Sequence, residues 1–282
     1  MLKIIIICSG LILISSVTSH AQQTENLPVN NVFKGTRFIN GQSANLANNG
    51  ELILQIQHRF GDISYGIDEF FGLDQATMRL GFEYGLFRNF NIGVGRSTIF
   101  KTYDAYIKYR IFQQTNDFPV TLVATAEGSV PSIKDFFPEE YNNFSDKYAA
   151  SMQLIFSSSL GPVGLQVSPG YLHTGYLFLE DKKFEIFTLG FGGSVKVSKK
   201  VSVNIEYLHH FEDNILANKP LSIGVDLSTG GHLFQLLISN SQAMNNNALY
   251  TNTQGNWSKG NIYFGFNLIR KFKLRYTDED NF

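Results

Sequence analysis

Apolar and polar residues alternate with a period of two along most of this chain. Glu51-Leu52-Ile53-Leu54-Gln55-Ile56-Gln57 puts Leu52, Leu54 and Ile56 on one face. Gln55, Gln57 and Arg59 fall on the other. Met78, Leu80, Phe82, Tyr84 and Leu86 then alternate with Thr77, Arg79, Gly81, Glu83 and Gly85. Such alternation predicts β-strands with one face on an apolar medium. It recurs near 90–100, 102–112, 119–127, 147–157, 163–173, 184–197, 200–209, 220–228, 231–240 and 260–270, giving twelve candidate strands.

The links between strands follow a rhythm. Short links follow Leu86, Phe112, Ser157, Val197 and Ser228, and long links run 61–75, 128–146, 174–183, 210–219 and 241–259. One tight link near Lys101 stands where a long one is expected. This is the pattern of an up-and-down transmembrane β-barrel, with short periplasmic turns, long outer loops and an even strand number. Periodicity alone does not say whether the apolar face meets a core or lipid. Three features point to lipid. The strands have the ~9–11 residues needed to cross hydrocarbon. The opposite face is small and polar, as where Gly190, Gly192 and Ser194 alternate with Leu189, Phe191 and Val195. Aromatics such as Tyr84, Tyr103, Tyr109, Tyr148, Phe156, Tyr171 and Tyr207 gather near strand ends. The competing fold is a secreted β-sandwich or a lipocalin-like barrel.

The first residues read as an export signal. Lys3 precedes an apolar stretch from Ile4 to Ile14, and Ser19-His20-Ala21 fits a small-x-small cleavage site. Residues 1–21 are therefore expected to leave, and the barrel is expected in the outer membrane of a Gram-negative cell. Cys8 is the only cysteine and lies in that segment, so no disulfide is expected. Residues 22–50 do not fit the meander. Asn40-Gly41 and Asn49-Gly50 are turn signals, and the segment is either periplasmic or a plug inside the barrel. Residues 51–272 form the barrel, and 273–282 read as a solvated tail.

Charge narrows the function. With 23 Lys+Arg against 24 Asp+Glu, the chain lacks the basic surface of a nucleic-acid binder. On the lumen face the pattern places Glu51, Arg59, Arg79, Glu83, Asp104, Lys108, Arg110, Glu127, Lys196, Glu206 and Asp226. Five are basic and six acidic. A strongly selective pore shows one dominant sign. The near-balance predicts cross-barrel ion pairs, either in a nearly filled lumen or around a narrow polar path. Arg59, Arg79, Glu83, Asp104, Lys108, Arg110, Glu127 and Glu206 are the candidate network.

Other motifs carry less. His58 ends a strand on the lipid side, His209 and His210 point to opposite faces, and His173 lacks a triad geometry with a nearby Ser. Asp135, Glu139, Glu140 and Asp146 lack calcium-loop spacing. Gly93-x-Gly95 precedes no helix, so it reads as a site of curvature or a bulge that turns Arg96 inward. No cofactor, metal or catalytic residue is expected.

His58-Arg59-Phe60-Gly61, Phe71-Gly72-Leu73-Asp74, Tyr84-Gly85, Gly95-Arg96-Ser97, Lys101 with Tyr103-Asp104 and Lys108-Tyr109, and Gly230-Gly231-His232-Leu233-Phe234-Gln235 together resemble a family of uncharacterised Gram-negative outer-membrane β-barrels, known as a domain of unknown function. The resemblance covers roughly residues 28–272 and implies a barrel with no known activity. One departure is that the last clear strand, Asn261 to Ile269, does not end the chain. The expected partners are outer-membrane lipid, the barrel-assembly machinery and a small polar solute. The leading functions are a narrow channel or transporter for such solutes and a non-conducting structural or interaction barrel. A membrane lipid hydrolase is third.

Overall fold

The computed structural model describes residues 27–29, 33–133, 143–175, 184–212 and 217–274. The expected signal at 1–21, the acidic residues Asp135, Glu139 and Glu140, and Asp278-Glu279-Asp280 lie outside them.

Twelve antiparallel strands close into one barrel: β1 (Glu51–Asp62), β2 (Ala76–Phe87), β3 (Phe90–Ser97), β4 (Tyr103–Phe112), β5 (Thr121–Val130), β6 (Ala149–Leu160), β7 (Val163–Thr174), β8 (Phe184–Lys196), β9 (Val201–His210), β10 (Leu221–Thr229), β11 (His232–Ser239) and β12 (Tyr263–Lys273). Each pairs with its sequence neighbours, and β1 pairs with β12 from Glu51↔Lys273 to Asp62↔Tyr263. Closure leaves no unpaired edge, the condition for a sheet in hydrocarbon. Short helices, α1 (Phe144–Lys147) and α2 (Asn246–Thr251), sit in long links.

The two-residue period sorts the faces as the alternation requires. In β2, Arg79, Gly81, Glu83 and Gly85 are buried inward, while Met78, Leu80 and Phe82 are exposed outward. Exposed outward apolar residues continue around the wall with Ile92, Val94, Ile107, Leu154, Leu165, Phe191, Ile205, Ile223 and Leu236. An apolar belt of this extent does not face water in a soluble domain.

Two boundaries and one local geometry differ from the sequence expectation. The β4–β5 link spans 113–120 rather than 113–118, because Pro119 cannot donate to a ladder and Thr121 Oγ1 accepts instead from Gln114 N at 2.9 Å. Pro28 bridges to Thr115 there, so the N-terminal segment meets the barrel at its short-turn end. Strand β12 starts at Tyr263 and runs to Lys273, so the tail begins later than the alternation suggested. Finally, β3 shows no bulge at Gly93–Gly95, and Arg96 points outward. The glycines make room inside instead. A Cβ on Gly93 would lie 2.2 Å from the Tyr106 ring, and one on Gly95 would lie 2.2 Å from the Arg79 guanidinium.

Candidate functional site

The lumen is occupied by the chain itself. Residues 36–43 form a small hairpin inside the barrel, with Arg37 bridged to Gln42 and Phe38 N donating to Gly41 O at 2.9 Å. The Asn40-Gly41 turn signal is its tip. Asn49-Gly50 then leads the chain out into β1, with Gly50 at φ 74° and its N–H on Gly85 O at 2.8 Å. Of the two placements open for residues 22–50, the described residues 33–49 take the lumen.

The wall holds this hairpin largely by its main chain. Glu206 accepts from Asn40 N at 2.8 Å and Gly41 N at 3.0 Å. Lys108 Nζ donates to Thr36 O at 2.9 Å and Asn45 O at 2.6 Å. Gln166 accepts from Ala44 N at 3.1 Å and donates to Gln42 O at 2.8 Å. Gln235 donates to Phe38 O and Asn267 donates to Ile39 O, both at 2.8 Å. Apolar contacts join these bonds: Phe33, Phe38 and Ile39 pack with Leu237, Ala44 with Val123 and Ile155, and Ala47 with Ile53, Leu233 and Ile269, while Phe38 lies over Gly192, where a Cβ would be 2.9 Å from the ring.

A second insert comes from the β11–β12 link at the opposite end. Asn246 N donates to Glu127 Oε1 at 2.7 Å, and Asn247 Nδ2 to Ser129 Oγ at 2.7 Å. Gln153 Nε2 donates to the Tyr250 hydroxyl at 3.2 Å, and burial raises that hydroxyl's pKa above its ordinary value. The inserts meet at Arg37, whose Nη1 donates to Met244 O at 3.3 Å and to Asn40 O at 3.0 Å. Its guanidinium stands 5.4 Å from the centre of the Tyr106 ring. A cavity between the inserts and the wall, lined by Gly41, Gln42, Gln166 and Glu206 among others, has a volume of about 10 Å³. That is room for a single water.

The candidate charges therefore do two kinds of work. Arg79 and Asp104 form a fully buried bidentate pair, with Arg79 Nη1 also donating to Gln57 at 3.0 Å. Among the described residues this is the direct ion pair between members of the candidate network. Glu83 instead collects Thr36, Gln55, Asn91 and Tyr106 as neutral donors. Arg59 Nη2 reaches Asn40 Oδ1 at 2.8 Å, and its Nη1 reaches Asn267 at 2.9 Å. Lys108, Glu127 and Glu206 bind the inserts. The expectation of mutual ion pairing is thus corrected: most of these charges are bonded to the inserts or to neutral side chains. Arg110 lies apart at the short-turn rim, on Asn89 Oδ1 at 3.0 Å, and Glu51 caps Asn48 N nearby at 2.9 Å. Lys196 is half-buried near the same end, and Asp226 accepts from Gln235 at 2.7 Å.

Several key residues escaped the sequence reading. Tyr106 sits on lumen parity opposite Gly93, and a glycine facing a large residue is the available signal. The run Asn245-Asn246-Asn247 is fully buried, and its density of amides in a link was the clue. Arg37 carried none.

His58 stacks on Phe266 on the outer face at 5.0 Å, and His210 turns inward to the Ala217 carbonyl. His173 faces Glu185 outside, at 3.8 Å. Among the described residues, no cluster of three or more His, Cys, Asp or Glu could hold a metal.

Comparison with known proteins agrees with this architecture. No curated protein matches the chain in sequence. Among solved structures, the NanC porin superposes with a TM-score of 0.51 at 9% identity, over 79% of this chain and 100% of that one. An outer membrane channel from Pseudomonas putida F1 gives 0.45 at 12% identity, over 81% and 97%. At these identities only the first likeness is informative, and it speaks to the fold alone. A family model described as a membrane bound beta barrel domain (DUF5777) matches residues 33–272. The chain belongs to this family of membrane-bound β-barrels of unknown function.

Proposed function

We propose that this protein is an outer-membrane channel for small polar solutes, shut in the present state by its own N-terminal hairpin and β11–β12 link. The short-turn end faces the periplasm. The observation that supports this reading is the way the wall grips the hairpin. Glu206, Lys108, Gln166, Gln235 and Asn267 all bond to its main chain. Those contacts exchange readily for water, so the wall stays solvated if the hairpin withdraws. A wall serving only a permanent core would gain more from apolar residues, which carry no desolvation cost. Along β5–β9 the hydroxyls of Thr125, Ser157, Ser194 and Ser202 are buried with no partner among the described residues. Such groups call for water and suit uncharged hydrogen-bonding solutes.

A second reading, a permanently closed barrel for structure or interaction, draws on the cavity of about 10 Å³. Osmotic swelling of liposomes separates the two. Wild-type protein should admit a neutral sugar slowly, and a chain lacking residues 33–49 should admit it rapidly. A deletion chain that is folded and heat-modifiable yet impermeable would favour the permanently closed barrel.

A further inference from the structure

Beyond the lumen, the β1–β2 link carries an exposed apolar surface that no other described residue covers. Ile63–Gly72 is a series of 3-10 turns at the end of the barrel with the long links. Ile67 is 79% exposed, Phe70 59% and Phe71 50%, with Tyr65 and Leu73 exposed beside them. In water this display is unfavourable, and a mobile loop would fold it away.

The loop is fixed in this display. Asp62 caps it by accepting from Ser64 N at 2.9 Å, and Asn261 Nδ2 reaches Asp62 at 2.9 Å. Gln75 ties down Glu69 at 3.2 Å. Gly61 and Gly72 touch so closely that a Cβ on Gly72 would lie 2.4 Å from Gly61. Among the described residues, the non-glycine positions with left-handed φ are Phe70, Phe71, Phe100 and Lys101. All lie in this loop or in the β3–β4 turn (Ile99–Lys101) at the same end. Left-handed backbone is costly for such side chains and persists where surrounding structure enforces it.

The surface continues into the lipid-facing wall. Leu73 leads to Met78 and Leu80 on the outer face of β2, and Val94 and Tyr103 follow on β3 and β4. Arg96 stands outward among them, with its guanidinium 5.4 Å from the Tyr103 ring centre, and Lys101 is exposed nearby. Aromatics with outward basic groups mark the headgroup level of a bilayer. Asp68 is exposed on the same loop and keeps one side of it in water.

We propose that the Ile63–Gly72 loop is a membrane-surface anchor that inserts Ile67, Phe70, Phe71 and Leu73 into the leaflet around the long-link end, with Arg96 and Lys101 at headgroup depth. The occupant of the apolar face is lipid, continuous with the lipid around the wall. This rests on the membrane placement of the barrel and is independent of whether the lumen opens.

The chain's only cysteine is Cys8, so single-cysteine labelling of the mature protein is clean. Ile67→Cys and Phe71→Cys, with Ser258→Cys as an exposed polar control in the β11–β12 link, would each carry a bimane fluorophore in phosphatidylethanolamine–phosphatidylglycerol liposomes. Heat-modifiability confirms folding, which the exposure of Ile67 favours. The expected result is at least two-fold stronger quenching at positions 67 and 71 by shallow nitroxide lipid than at 258, with the reverse order for aqueous iodide. Positions 67 and 71 behaving like 258, iodide-accessible and blind to nitroxide lipid, would overturn the proposal. Because the readout is depth and not flux, failure here leaves the channel reading untouched.

Discussion

Strands β1–β4 and strands β5–β9 line the same lumen with different chemistry. From β1–β4, Arg59, Arg79, Glu83, Asp104 and Lys108 project inward, all buried. From β5–β9 come Thr121, Thr125, Ser151, Gln153, Ser157, Gln166, Ser168, Thr188, Ser194 and Ser202, with Glu127 and Glu206 as the buried carboxylates. In the charged half the five charged side chains all have partners, in one another, in neutral side chains or in the hairpin, and the groups left over are single atoms of Gln57, Arg59 and Asn91. In the other half the two carboxylates hold main-chain N–H groups of the inserts, and several hydroxyls have no partner among the described residues. The difference separates two tasks. One side fixes structure, where an unpaired charge would be expensive. The other side tolerates incomplete bonding, and so tolerates water.

Breaking the charged side should cost most. Arg79→Ala leaves Asp104 buried without its partner and should destabilise the barrel by about 3–5 kcal/mol, read as the temperature at which heat-modifiability is lost. Replacing the pair together, as Arg79→Met with Asp104→Leu, should recover most of that loss, because buried pairs are replaceable by apolar groups. No recovery would mean that Gln57 and the surrounding glycines, rather than the pair, set the cost.

A smaller effect is expected where the charged half meets the hairpin. Lys108→Met keeps the stem but removes the ammonium from Asn45 O and from Thr36 O, which keeps the Ser43 N–H at 3.0 Å, at roughly 1–3 kcal/mol in all. Limited proteolysis within residues 33–49 should become faster. Unchanged protection would show that the apolar contacts of Phe33, Phe38 and Ile39 suffice.

The smallest effect belongs to the neutral half. Ser157→Ala and Ser194→Ala remove hydroxyls that have no protein partner, so each should change stability by less than about 0.5 kcal/mol. A larger destabilisation at either position would erase the contrast between the halves.

Much of the barrel was legible because one physical rule, alternation against lipid, repeats in every strand. Leu52, Leu80 and Ile92 fall outward and Arg79, Glu83 and Lys108 inward for that reason alone. The link near Phe112 runs a little longer than the alternation gives, because Pro119 leaves the ladder, and its bridge to Pro28 comes from far along the chain. Arg96 misled because paired glycines were read as backbone devices, whereas they clear space for Tyr106 and Arg79 from neighbouring strands. The candidate charges could be placed on the lumen face, but their partners could not. Glu206 meets Asn40 and Gly41 across 166 and 165 positions, a contact that no local pattern encodes. A polar segment such as 33–49 reads alike whether it lies in the periplasm or in a polar lumen.

Single-channel recording in planar bilayers tests the central claim, that the hairpin closes the barrel, most directly. Wild-type protein should be shut for most of the record, and Lys108→Met with Glu206→Gln, which loosens the hairpin on both sides, should show discrete openings many times more often. A steadily open wild-type pore would contradict the account. So would an unchanged closed trace from the double variant once its hairpin had become accessible to protease.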